Sequence, residues 1–156
     1  MTEQERKSAE VYMAEALRLA REAASQGEVP VGAVIVKEGN IIGRGSNRTV
    51  AEKDPTTHAE MKAVQEALKA VGGWRLTGCD MYVTLEPCAM CAGALVHSRI
   101  ANLYIGTTDP KSGACGSVLD VTGEPKLNHH PVVHKGILQE ECAQVLRDFF
   151  RELRRK

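Results

Sequence analysis

The chain has 156 residues, 43% hydrophobic and 26% charged, the length of one domain with enough apolar surface to bury a core, which excludes wholesale disorder. Twenty Lys and Arg balance twenty Asp and Glu, so a generally polybasic nucleic-acid coat is excluded and any nucleic-acid contact must be a local patch. No apolar run approaches the roughly 20 residues of a membrane span, and the opening Met1-Thr2-Glu3-Gln4-Glu5-Arg6-Lys7 is too charged for a secretory signal. A cytoplasmic protein without membrane association is expected.

In chain order, Met13, Leu17, Ala20 and Ala24 recur at helical spacing, and Gln26-Gly27 provides a stop. Val31 to Val36 and Ile41-Ile42-Gly43, separated by Gly39-Asn40, predict a β-hairpin. Asp54-Pro55-Thr56-Thr57 offers capping side chains for a helix over 58–71, which Gly72-Gly73 ends. Residues 81–85 predict a strand halted by Pro87, 89–97 a buried helix, and 103–105 another strand. A glycine-rich stretch over 113–123 precedes a last helix from about 140 onward, with Cys142, Val145, Leu146, Phe149 and Leu153 as its core stripe. Strands alternating with helices predict a three-layer α/β/α sandwich in a single domain over 1–156, with parallel pairing somewhere in its sheet.

Five cysteines, at 79, 88, 91, 115 and 142, are an odd set and a poor disulfide framework, which fits a reducing compartment. Only Cys88 and Cys91 have a metal-like spacing; the other three read as small buried hydrophobes. At i and i+3, Cys88 and Cys91 project from one face of a helical turn, and Pro87 suits the first position of that helix. The helix dipole favours the thiolate that binds zinc. Twenty-six residues lie between His58-Ala59-Glu60 and Pro87. His58 supplies a third ligand, and three protein ligands leave one tetrahedral position for water, the mark of a catalytic zinc. Glu60, two residues from His58, is then free to shuttle protons. A purely structural zinc would draw a fourth ligand from His97, His129, His130, His134 or Cys115, and has no use for Glu60.

His-x-Glu followed by Pro-Cys-x-x-Cys is the signature of zinc nucleobase deaminases. Beyond it, Glu28-Val29-Pro30-Val31-Gly32-Ala33, Tyr82-Val83-Thr84-Leu85-Glu86, Cys91-Ala92-Gly93-Ala94, His97-Ser98-Arg99-Ile100, Leu127-Asn128-His129 and Phe149-Phe150 resemble the bacterial tRNA adenosine-34 deaminases, over roughly positions 9 to 155. Thr57 and Cys115 depart from the usual small residues, away from the inferred ligands. The resemblance implies a cytidine deaminase-like fold with a mixed sheet of about five strands, and one Zn²⁺ per subunit. It implies hydrolysis of adenosine to inosine at the wobble position of a tRNA anticodon, with Glu60 as base and then acid.

By the same resemblance, Asn47 hydrogen-bonds the flipped nucleoside, although turn chemistry after a strand would also place an Asn there. Val29 and Pro30 wall the pocket, the Ala59 amide meets the base edge, and His129 lies near the substrate. The partner is a tRNA anticodon stem-loop, met by Asp109, Lys111 and Ser112, and the family forms homodimers. Phe150 stacks on bases or packs. Arg151 belongs to a tail, 147–156, with five basic and two acidic residues, suited to phosphate contacts or to a solvated helix end. Two alternatives keep part of the site: a deaminase of free guanine or cytosine on the same fold, and a non-catalytic zinc-stabilised RNA-binding module.

Overall fold

The computed structural model describes residues 1–156. Helix α1 (Glu3–Ser25) is capped by the Thr2 hydroxyl, which accepts from the Glu5 amide at 3.1 Å. It ends at Gln26 with Gly27 at φ +80°, as the stop signal predicts. Strands β1 (Gly32–Lys37) and β2 (Asn40–Ser46) form the expected hairpin. Its turn residues are Glu38 and Gly39, both at positive φ, not Gly39-Asn40: a two-residue turn of this type matches the twist of the strands. A short helix α2 (Thr49–Glu52) follows, then α3 (Ala59–Val71), β3 (Cys79–Leu85), α4 (Ala89–His97), β4 (Asn102–Thr107), β5 (Val132–Lys135) and α5 (Gln139–Arg154).

The strands form one mixed sheet in the order β2-β1-β3-β4-β5. The α3 crossover carries β2 to β3, which run the same way, but β1 lies between them, antiparallel to both. Direct parallel pairs are β3 with β4, through α4, and β4 with β5. Side chains alternate between two cores. Ala33, Ile35, Met81, Val83, Leu103 and Ile105 meet α3 and α4; Val34, Val36 and Tyr82 meet α1 and α5. This is the three-layer sandwich the alternating elements predict.

Helix α3 lies unusually close to β2. A Cβ on Gly43 or Gly45 would strike the backbone of Ala63 or Ala59, so the contact needs glycine on the strand opposite alanines 59, 63 and 67 on the helix. That approach places His58 and Glu60 beside the end of β3. The strand β5 was not predicted. Its four residues carry no alternating pattern, and it is held by its partner: His134 stacks on Tyr104 at 4.5 Å between ring centroids. The α5 stripe is only partly a core stripe. Cys142 is buried, Val145 packs beside it, and Leu153 is exposed, at an open cleft between α5 and the end of α1.

Candidate active site

His58 is the N-cap of α3 and Cys88 the N-cap of α4, neither using its side chain to cap. Cys91 occupies the third position of α4. Two helix starts, each with unpaired amides and a positive dipole end, therefore meet at one point. Pro87, predicted at the first helical position, precedes the cap instead, and its carbonyl accepts from the Ala114 amide at 2.8 Å.

The His58 Nδ1 atom lies 3.6 Å from the sulfur of Cys88 and 3.6 Å from that of Cys91. Zinc bonds of roughly 2.3 Å to sulfur and 2.0 Å to nitrogen, at the tetrahedral angle, put those atoms about 3.5 Å apart. The donor set thus has the chemistry and the spacing for a divalent metal, and no other group of His, Cys or carboxylates converges in this way. Cys88 is the ready thiolate: hydrogen bonds from Cys91 and from His58 pull it down to about 4 against its burial. Cys91 is pushed up by its hydrogen bond to Cys88 and by burial, and His58 is raised by its bond to Cys88.

Glu60, the second residue of α3, is 4% exposed. Burial pushes its carboxyl up to about 7, opposed by its own backbone amide and by His58. A cation in the neighbouring cluster would pull it down again.

A cavity of about 250 Å³ opens over these residues, walled by Val29, Val31, Asn47, Ala59 and Leu85 together with His58, Glu60 and Cys88. It is smaller than a drug-sized pocket, matching a base more than a whole nucleotide. Pro30 is buried between Val29 and Val31 without lining it. Asn47 is both turn and wall: Nδ2 donates to the Val29 carbonyl at 3.3 Å and Oδ1 accepts from the Thr49 amide at 3.4 Å. Both bonds are long, leaving the carboxamide held in place yet weakly engaged.

A second, wider cavity of about 640 Å³ shares Val29, Leu85, Asp109 and Ser112 with the first. Its outer walls are basic and aromatic: Lys111, Arg147, Phe150, Arg151 and Arg154. Phe150 stands 41% exposed, set edge-on to Phe149 at 5.4 Å. Asp109, Lys111 and Ser112 form a self-tied loop, with Asp109 accepting from both following amides and from the Ser112 hydroxyl.

His129 does not join the site of its own chain. Its Nε2 lies 2.6 Å from the Ile100 carbonyl, ahead of β4, a strand's length of roughly 20 Å from Asp109. The sequence reading also passed over Thr49, Leu85 and Glu86, which line the inner cavity. For Glu86 a signal existed: a carboxylate at the end of an apolar strand is buried and must find partners. For Thr49 and Leu85 there was none.

A family model described as MafB19-like deaminase matches residues 7–154. The tRNA-specific adenosine deaminase of Bacillus subtilis is 49% identical over 147 residues, covering 94% of this chain and 91% of its own. That of Aquifex aeolicus is 47% identical over 145 residues, covering 93% and 95%. A structure solved in studies of A-to-I editing by tRNA:A34 deaminases at the wobble position of transfer RNA matches with a TM-score of 0.84 and 45% identity, covering 86% of this chain and 98% of that one. A guanine deaminase from Nitrosomonas europaea shares the fold, with a TM-score of 0.79 at 22% identity, over 90% and 83%.

Proposed function

We propose that this chain, which belongs to the MafB19-like deaminase family together with the tRNA-specific adenosine deaminases, hydrolyses adenosine to inosine and ammonia at the wobble position of a tRNA anticodon. The observation that carries this reading is the continuity of the two cavities: a base-sized one over Glu60, and a basic one outside it sharing four wall residues. A single nucleotide extruded from a loop fills the first while its flanking phosphates occupy the second.

His58, Cys88 and Cys91 would hold one Zn²⁺, which supplies the Lewis acidity that makes water a competent nucleophile near neutral pH. Glu60 takes a proton from the attacking water and delivers it to N1 of adenine. Once the bond from oxygen to C6 has formed, Glu60 takes the remaining proton of the added hydroxyl and delivers it to the amino group, so that the bond from C6 to nitrogen breaks, ammonia leaves and C6 keeps the carbonyl oxygen of inosine. Burial that pushes its carboxyl up, set against the downward pull of a cation in the cluster, suits a group that is base and acid in turn. Asn47 and the Ala59 amide orient the nucleoside between Val29 and the helix start, with Pro30 backing that wall. Asp109, Lys111 and Ser112 meet the anticodon loop, Phe150 stacks on a flanking base, and Arg151 contacts phosphate. His129 lies outside this pocket in its own chain.

We also read the protein as a cytoplasmic homodimer. Its five cysteines are free thiols, which suits a reducing compartment, and no helix is long and apolar enough to cross a membrane. The outer face of α4 leaves Met90, Gly93 and Ala94 part-exposed, a small-residue surface fit for a second copy.

The test is incubation with an anticodon stem-loop carrying adenosine at position 34, alongside free guanine and cytosine, with and without a chelator. Inosine in the stem-loop alone, abolished by the chelator, is expected. Turnover of a free base with none in RNA would replace this reading by the free-base alternative, which has no use for the basic outer cavity. Absence of all turnover from zinc-loaded protein would leave only an RNA-binding module.

A further inference from the structure

Glu86 follows the last residue of β3 and is 2% exposed. Both oxygens of its carboxylate are filled. Oε1 accepts from the Asp109 amide at 3.0 Å and the Ser117 hydroxyl at 2.5 Å. Oε2 accepts from the amides of Cys115 at 2.9 Å and Ser117 at 3.2 Å. All four donors come from one segment, 109–117, so a single side chain grips the loop at both ends. Gly113 passes so near that a Cβ there would sit 2.5 Å from the carboxylate carbon. The Ala114 amide donates to the carbonyl of Pro87, the next residue after Glu86.

The loop needs only an anchor. Asp109 spends its own side chain inside it, on the amides of Lys111 and Ser112 and the Ser112 hydroxyl, so its first turn is tied internally. Two of its residues, Asp109 and Ser112, stand in the wall shared by the inner and outer cavities. Glu86 also lies two residues ahead of Cys88, so the side chain that grips the loop is on the backbone that delivers a metal ligand.

We propose that Glu86 is a positioning residue, whose carboxylate rivets segment 109–117 to the end of β3 and so sets the distance between the substrate-facing Asp109 and Ser112 and the reacting centre. It is not catalytic, since neither oxygen has a direction left for substrate. The chemistry demands a carboxylate. Four N–H and O–H donors converge on it, and a carboxamide of the same shape would turn an NH₂ group against amide hydrogens that cannot reverse. This inference rests on the proposed reading of the site, because it assigns the shared wall to substrate.

The test compares wild type with Glu86→Gln by three measurements: metal content, amide hydrogen exchange over 109–117, and steady-state kinetics on an adenosine-34 stem-loop. We expect exchange in that segment to rise at least tenfold with exchange in α1 and α3 unchanged. KM should rise about tenfold, kcat should fall less than threefold, and metal should stay bound. Gly113→Ala, which pushes on the same carboxylate from the other side, should reproduce the pattern if Glu86→Gln does not fold. Ser117→Ala, which removes one donor of four, should raise KM by about twofold. Unchanged exchange over 109–117 in a folded variant overturns the rivet whatever the activity. A fall in kcat with metal loss and unchanged KM would assign Glu86 to the support of Cys88 instead. Were wild type inactive on RNA, the exchange result would still judge the rivet while the reading of the reaction failed.

Discussion

Glu60 and Glu86 are buried to nearly the same degree, 4% and 2% exposed, and border the same cavity, yet their surroundings make them opposites. Burial dominates at Glu60, and its carboxyl is pushed up to about 7. At Glu86 burial also pushes upward, but the Ser117 hydroxyl and the amides of Asp109, Cys115 and Ser117 outweigh it and hold the carboxylate below its usual range. A carboxyl with few donors exchanges protons; one with four holds backbone. Hydrogen-bond donors, together with depth, separate a proton carrier from a rivet: the desolvation that dominates at Glu60 is outweighed by four donors at Glu86.

Removing what lies between them is the most severe way to break the contrast. Cys88→Ala removes one of the three residues proposed to hold zinc and should lose both metal and turnover; full metal content in the purified variant would dissolve the site. Glu60→Gln keeps the shape and the metal and removes only proton transfer, so kcat should drop by about 10²–10⁴ with KM little changed. A variant retaining a tenth of the activity would show that Glu60 is not the shuttle. Next comes the tenfold KM effect of Glu86→Gln, opposite in kind because it strikes binding rather than chemistry.

Smaller effects belong to the outer cavity, which neither carboxylate touches. Arg151→Ala should raise KM several-fold at low salt. It should also flatten the dependence of log KM on log salt by about 0.7, the share of one phosphate contact on a single strand; an unaltered slope would remove Arg151 from the RNA path. Truncation after Leu153 removes Arg154, Arg155 and Lys156 and should raise KM by about twofold with metal content intact. If KM does not move, the end of α5 is only a solvated helix terminus.

Much of this was legible beforehand because it is local. The helical stripes of α1 and α3, the hairpin over 31–46, and the spacing of His58 from Cys88 and Cys91 depend on residues a few positions apart, or on two helix starts that each announce themselves. What was not legible depends on partners far away in the chain. The four residues of β5 become a strand only because β4 offers an edge and Tyr104 a ring to stack on. The resemblance puts His129 near the substrate, and within one chain its ring meets the Ile100 carbonyl, a partner that no local pattern announces. Leu153, apolar and in phase with the stripe of α5, stays exposed because the end of α1 leaves an open cleft beside it.

The order of residues alone determined the alternation of helices with strands, and the three donors and one carboxylate of the site, because periodicity and ligand chemistry are written in neighbours. Only the tertiary structure decided that α3 presses onto two strand glycines, that the base-sized cavity opens into a basic one, and that Glu86 is a fastening while Glu60 stays responsive. A buried carboxylate takes its character from the donors that reach it, and for Glu86 those arrive from 23 to 31 positions away.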